Sequence, residues 1–212
     1  MHPKLSRRSL LRDLLVGCIG AAGLREARAG EAASATAEAF VADLARRIVV
    51  ALRDPAHGEA QRLEEVDRVA RGSFDLDRTA RIALGRYWKP ASPEQRSAFV
   101  TLFKDHVLIS YGRRFHDYAD RSFRVTGARP SGDDVTVESL VEGGATPIRL
   151  DWRVGRTNHG WRVLDVAVEG VSLLLTYRNE FAAVIERQGG QVEGLLDELR
   201  RRVASERARL AT

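Results

Sequence analysis

Ile148-Arg149-Leu150-Asp151-Trp152-Arg153-Val154 alternates apolar and polar residues without a break. Side chains of a strand point alternately to opposite faces, so this stretch reads as a β-strand with one face buried and one in water. Its neighbours repeat the pattern. Phe123 and Val125 alternate with Arg124 and Thr126, and Val135, Val137 and Val141 with Thr136 and Glu138. Turn signals at Pro130-Ser131-Gly132-Asp133, Gly143-Gly144 and Asn158-His159-Gly160 separate four such runs. The last run opens on Trp161 and Val163 and then changes phase to Val166 and Val168, which predicts a bulge near Leu164-Asp165.

Helical spacing brackets these strands. Upstream, Phe40, Val41, Leu44, Ile48 and Leu52 recur at three- and four-residue steps until Asp54-Pro55. A second helix carries Leu63, Val66 and Ala70, and a third runs from about Leu76 to Leu84 with Asp75 as its N-cap. Ser92-Pro93-Glu94-Gln95 is a capping box that starts a fourth, whose stripe is Phe99, Phe103, Val107, Tyr111 and Phe115. Downstream, one helix carries Val171, Leu174, Leu175, Phe181 and Ile185, and the last carries Val192, Leu195, Leu196, Leu199 and Val203. Helices beside a run of strands predict an α+β fold: a curved four-stranded antiparallel sheet with helices packed on one face.

The chain of 212 residues has 34 basic and 29 acidic residues, one Cys and one Met. Residues 1–29 read as an export signal. Ser6-Arg7-Arg8-Ser9-Leu10-Leu11 resembles a twin-arginine motif, an apolar stretch from Leu14 to Leu24 follows, and Ala27-Arg28-Ala29 is a cleavage site. A general secretion signal that happens to carry paired arginines is the alternative. Cleavage removes six basic and two acidic residues and leaves 28 against 27, a net charge of +1. Without a cationic surplus the mature chain is a poor match for nucleic acid. The same cut removes Cys18, and with it thiol chemistry. A competing reading takes Leu15-Val16-Gly17-Cys18 as a lipobox that anchors the protein through Cys18. Residues 30–38, small and polar, read as a flexible leader, and residues 39–210 as a single domain. The expected location is the periplasm.

Signals for catalysis are weak. His106 and His116 lie ten apart on one predicted helix, ~15 Å along its axis, too far to share a metal. Gly170-Val171-Ser172 lacks the second glycine of a nucleophile elbow, and Ser172 reads as a helix cap. Arg81 and Arg86 beside Tyr87-Trp88 either meet an anion or form surface ion pairs. No catalytic residue and no metal ligand is assigned. The apolar surplus is the stronger signal: the Phe99–Phe115 stripe and the Ile148-Leu150-Trp152 face either pack on each other or leave a gap for an apolar ligand.

Two blocks carry a family resemblance. The first is Arg81-x-x-x-Gly85-Arg86-Tyr87-Trp88 followed by Ser92-Pro93-Glu94-Gln95-Arg96-x-x-Phe99-x-x-x-Phe103. The second is Trp161-Arg162-Val163-x-Asp165-x-x-x-Glu169-Gly170-Val171-Ser172-Leu173-x-x-x-Tyr177-Arg178-x-Glu180-Phe181. Together they resemble the MlaC, or toluene-tolerance, family over about residues 40–200. The resemblance implies a fold like that of nuclear transport factor 2 and a non-enzymatic periplasmic carrier that encloses lipid tails in an apolar pocket. It implies transfer of phospholipid, or of a hopanoid-type lipid in one subgroup, between an outer-membrane lipoprotein complex and an inner-membrane ABC transporter with a lipid-channel subunit. No cofactor is implied; the lipid is cargo. The periodicity nominates Phe103, Val107, Tyr111, Val137, Ile148, Leu150, Trp152, Val171, Leu174 and Leu175 as tail contacts. An isomerase or dehydratase on the same scaffold, with Asp151 or Asp165 as its base, is the alternative.

Overall fold

The computed structural model describes the backbone of residues 7–116 and 120–210, with side chains described for 30–58, 61–110 and 120–209. Four helices come first: α1 (Arg7–Arg53), α2 (Glu59–Ser73), α3 (Leu76–Leu84) and α4 (Pro93–His116), with a 3-10 turn at Gly85–Tyr87 between the last two. Strands β1 (Ser122–Ser131), β2 (Asp134–Glu142), β3 (Ile148–Thr157), β4 (Gly160–Val168) and β5 (Val171–Ser172) follow, then α5 (Leu173–Arg187) and α6 (Val192–Leu210). The local start signals act as expected. Asp75 Oδ1 accepts from the Arg78 amide at 3.0 Å. The Gln95 amide donates to Ser92 Oγ while the Ser92 amide donates to Gln95 Oε1, closing the capping box. Ser172 Oγ accepts from the Leu175 amide and caps α5.

The sheet is antiparallel in the order β1-β2-β3-β4-β5. It has five strands rather than the expected four. Val171 pairs with Val168 across Glu169-Gly170, whose φ angles are 49° and 81°. Two residues are too few to show an alternation, so β5 leaves no period in the sequence. The predicted bulge is present: Val154 pairs with Val163 and Arg153 with Asp165, so Leu164 is the extra residue. A second bulge makes Thr126 the extra residue in β1.

One face of the sheet is a lattice of ion pairs. Arg129 meets Glu138, Arg149 meets Glu138 and Asp151, and Arg124 meets Glu142. The other face is apolar and covered by helices, with α1 lying across β1 and β2. The expected leader, residues 30–38, belongs to α1: Ala37 is fully buried, and the Trp161 indole donates to Thr36 Oγ1 at 3.3 Å. Small residues look like linker composition, but alanine is the best helix former, and Ala33, Ala37, Val41 and Leu44 share one face. Of the expected export segment, residues 1–6 lie outside the described residues, and only the backbone of 7–29 is described. Among the described residues, no helix is long and apolar enough to cross a membrane.

The buried side chains fall into two clusters. One joins α1 and α2 to the sheet, through Val41, Leu44, Val66, Val137, Trp152 and Val163. The other joins α3, α4, α5 and α6, through Leu84, Phe99, Phe103, Phe181, Ile185 and Leu199. In the second, Phe99 and Phe103 stack at 5.8 Å and Phe181 stands edge-on to both.

Candidate functional site: an apolar cavity at the seam

A cavity of about 280 Å³ opens where the two clusters meet. This is close to the lower end of the ~300–1,000 Å³ usual for ligand pockets. Its floor is a contiguous inward block of the sheet. Phe123, Val141 and Ile148 stand in register across three strands, Leu150 opposes Val168, and Trp152 opposes Val166. One wall is Ile48 and Leu52 of α1 with Leu63, Val66 and Ala70 of α2. The opposite wall is Phe103 and Val107 of α4 with Leu173, Leu174 and Tyr177 of α5. Tyr177 stacks on Phe181 at 5.4 Å and meets Phe103 edge-on at 5.8 Å, so that wall is backed by the helical core.

Three polar side chains along the lining are engaged. Thr79 Oγ1 donates to the Asp75 carbonyl at 2.7 Å. Asp67 accepts from Arg71 Nε at 2.7 Å. Asp165 Oδ2 accepts from the Ser172 hydroxyl at 2.6 Å, and its Oδ1 accepts from the Leu174 amide at 3.1 Å. Asp165 therefore ties the bulged end of β4 to the start of α5. The Arg121 side chain borders the cavity and lies against the Gly143-Gly144 turn, where a Cβ on Gly144 would come within 2.5 Å of its Nη1. Behind the α4–α5 wall, His106 is buried 5.6 Å from the Tyr177 ring, and that burial, helped by the Arg202 charge, holds its imidazole below the ordinary value.

The structure divides the nominated tail contacts. Phe103, Val107, Ile148, Leu150, Trp152 and Leu174 line the cavity. Val137, in register with Trp152, is fully buried beneath α1 in the sheet cluster and lies outside the lining. Val171 and Leu175 are 61 % and 54 % exposed and point away from the cavity. Val171 lies in the short edge strand β5, and Leu175 falls on the solvent side of α5. The Tyr111 side chain lies outside the described residues. The periodicity passed over the α1–α2 wall, Phe123, Val166, Val168, Leu173 and Tyr177. Their apolar spacing was visible, but spacing names a face and not what it faces. Of the two carboxylates considered as bases, Asp151 lies on the charged outer face, 2.9 Å from Arg149 Nε, and Asp165 is held as a structural acceptor. Among the described residues no cluster of three His, Cys, Asp or Glu could hold a metal.

Comparison with known proteins places these features beside others. The family model described as MlaC protein matches residues 42–201. The chain is 28% identical over 112 residues to the intermembrane phospholipid transport system binding protein MlaC of Haemophilus influenzae, covering 50% of this chain and 52% of that protein. It is 25% identical over 114 residues to the toluene tolerance protein ttg2D of Pseudomonas putida, covering 53% of each. The chain thus spans about half the length of the curated relatives it matches. A solved structure of a phospholipid-binding protein from Ralstonia solanacearum, in complex with a phospholipid, superposes with a TM-score of 0.71 at 30% identity. The match covers 80% of this chain and 97% of that one.

Proposed function

Because the chain belongs to the MlaC family, we propose that it is a non-enzymatic periplasmic carrier that holds lipid acyl chains in the seam cavity. The single observation that carries this reading is the lining: apolar side chains from the sheet and from α1, α2, α4 and α5, placed between two hydrophobic clusters instead of inside one. The physical need is large. At ~0.8 kcal/mol per methylene, a two-chain lipid with about thirty methylenes faces a barrier above ~20 kcal/mol to cross water alone. An apolar enclosure lowers that barrier without bond chemistry.

On this reading residues 1–29 export the chain, and the carrier moves phospholipid between an outer-membrane lipoprotein complex and an inner-membrane ABC transporter with a lipid-channel subunit. The phospholipid bound to the Ralstonia solanacearum protein supports the cargo class. The helix layer on one face of the sheet supports kinship with the fold of nuclear transport factor 2. The test is native mass spectrometry of the protein as isolated, with identification of what dissociates. One lipid per chain is expected, and its mass distinguishes phospholipid from a hopanoid-type cargo. A protein that carries no lipid and takes none from vesicles overturns the reading.

A further inference from the structure

The two sequence blocks that carry the family resemblance meet at the cavity wall, where Phe103 stands edge-on to Tyr177. They meet a second time on the surface, where the end of α3, the Gly85–Tyr87 turn and α5 border an open pocket of about 320 Å³ lined by Arg81, Ile82, Gly85, Trp88, Lys89 and Arg178. We propose that this pocket is an oxyanion site that takes a phosphate group. It is distinct from the lipid cavity, which draws on Leu76 and Thr79 of α3 and on Leu173, Leu174 and Tyr177 of α5.

Charge is the first argument. Three cations line the pocket and no carboxylate does. Arg86, in the same turn, is by contrast paired with Glu186. Arg81, Lys89 and Arg178 make no ion pair among the described residues. Three exposed like charges around one small pocket make a local positive field that favours an anion.

Construction is the second argument. Gly85 has φ of 57°, and a Cβ there would stand 3.0 Å from Arg178 Nε, so the glycine both permits the turn and lets the guanidinium lie over its backbone. The Trp88 amide closes the turn onto the Gly85 carbonyl at 3.1 Å. The Arg81 guanidinium sits 5.8 Å from the Trp88 ring centroid, and Arg96 holds the same ring at 5.6 Å while donating to the Trp88 and Lys89 carbonyls. Two guanidiniums thus lie against one tight turn, with Lys89 at its rim. Guanidinium forks match tetrahedral oxyanions, and a phosphate brings about two charges and three acceptor oxygens where a carboxylate brings one charge and two. Ile82 and the Trp88 ring form an apolar side wall for whatever carries the phosphate.

The phosphate can belong to a free ion or to a lipid headgroup, and one experiment separates these sources. The 15N-labelled full chain is titrated with inorganic phosphate against chloride at constant ionic strength, reading the three tryptophan indoles: Trp88 in this pocket, Trp152 on the cavity floor, Trp161 beside Thr36. The Trp88 indole and the Gly85 amide are expected to shift saturably while Trp152 and Trp161 stay put. Arg178→Gln and Arg81→Gln are each expected to weaken the response at least tenfold, with Arg178→Lys recovering part of it. The exposed Arg81 keeps the test open should the Arg178 change disturb the turn. In a second arm, vesicles of phosphatidylcholine with and without phosphatidic acid replace inorganic phosphate. A Trp88 response to inorganic phosphate, with or without the vesicle response, supports a free-phosphate source, and a response to phosphatidic acid vesicles alone supports a headgroup. No saturable Trp88 response in either arm, or a response untouched by both glutamine variants, overturns the proposal.

Discussion

The Trp152 indole donates a 2.9 Å hydrogen bond to Ser139 Oγ, one strand away, and the Ser139 hydroxyl donates in turn to the Leu150 carbonyl at 3.1 Å. Both side chains are buried on the floor beneath an apolar cavity. The relay lets a large flat ring serve as apolar floor without leaving its N–H unpaired. Ser139→Ala is expected to destabilise the fold by ~1–3 kcal/mol, the cost of a buried donor left without an acceptor. Urea unfolding of Ser139→Ala, Trp152→Phe and the double variant checks it: the double variant should lose clearly less than the sum of the two singles, because it leaves no orphaned indole.

Cargo capacity should follow the cavity and not the hydrophobic residues nearby in sequence. Leu150→Trp adds bulk to the floor and is expected to lower lipid per folded chain several-fold, at a stability cost of ~1–3 kcal/mol. Val171→Ser and Leu175→Ser, both on the solvent side, are expected to leave lipid content unchanged. Quantified phospholipid in organic extracts of the three proteins decides this, and an equal loss in Val171→Ser contradicts the geometry.

Asp165 should matter for folding and not for chemistry. Asp165→Ala removes the acceptor for both the Ser172 hydroxyl and the Leu174 amide, for an expected loss of ~1–3 kcal/mol, or several degrees in Tm for a domain of this size. Asp165→Asn keeps one acceptor oxygen and should lose less. Lipid bound per folded chain should not change in Asp165→Asn, and a fall there without a fall in Tm would assign the carboxylate a direct part in cargo handling.

His106 makes stability depend on pH in a definite direction. Burial is the main cause that lowers its pKa, and Arg202 adds to it, while Glu180 and Glu206 oppose. The group is neutral in the folded state and takes a proton more readily once unfolded, so the unfolded chain binds more protons as the pH falls below the ordinary histidine value near ~6.5. Stability is therefore full above that value and declines as the pH drops from it toward the lowered folded value. Replacing the imidazole by a non-titrating side chain, His106→Gln, should flatten the Tm profile as the pH falls below the ordinary histidine value. An unchanged slope in that variant contradicts the assignment.

The strands, the caps and the α+β order were readable because each is a local rule. Alternation marks β3, Ser92 with Gln95 starts α4, and a change of phase in β4 located the bulge at Leu164. β5 was not readable, since two residues carry no period, and α1 was cut short because alanine serves linkers and helices alike. The candidate site was half readable. Leu150 and Phe103, named from periodicity, line the cavity. Val171 and Leu175 have the same chemistry, yet end in solvent, because Val171 falls in the short edge strand β5 and Leu175 on the outer side of α5.

By itself, the sequence determined which side of each strand and helix is apolar and where several of the helices begin, since these depend only on residue type and short-range geometry. Only the tertiary structure decided that the apolar faces of α1, α2 and the sheet close into one cluster and those of α3 to α6 into another, leaving a hollow between Trp152 and Tyr177. Burial is favourable against any apolar partner, so a pattern of oily faces does not say whether they touch; the crossing of helices over the sheet does.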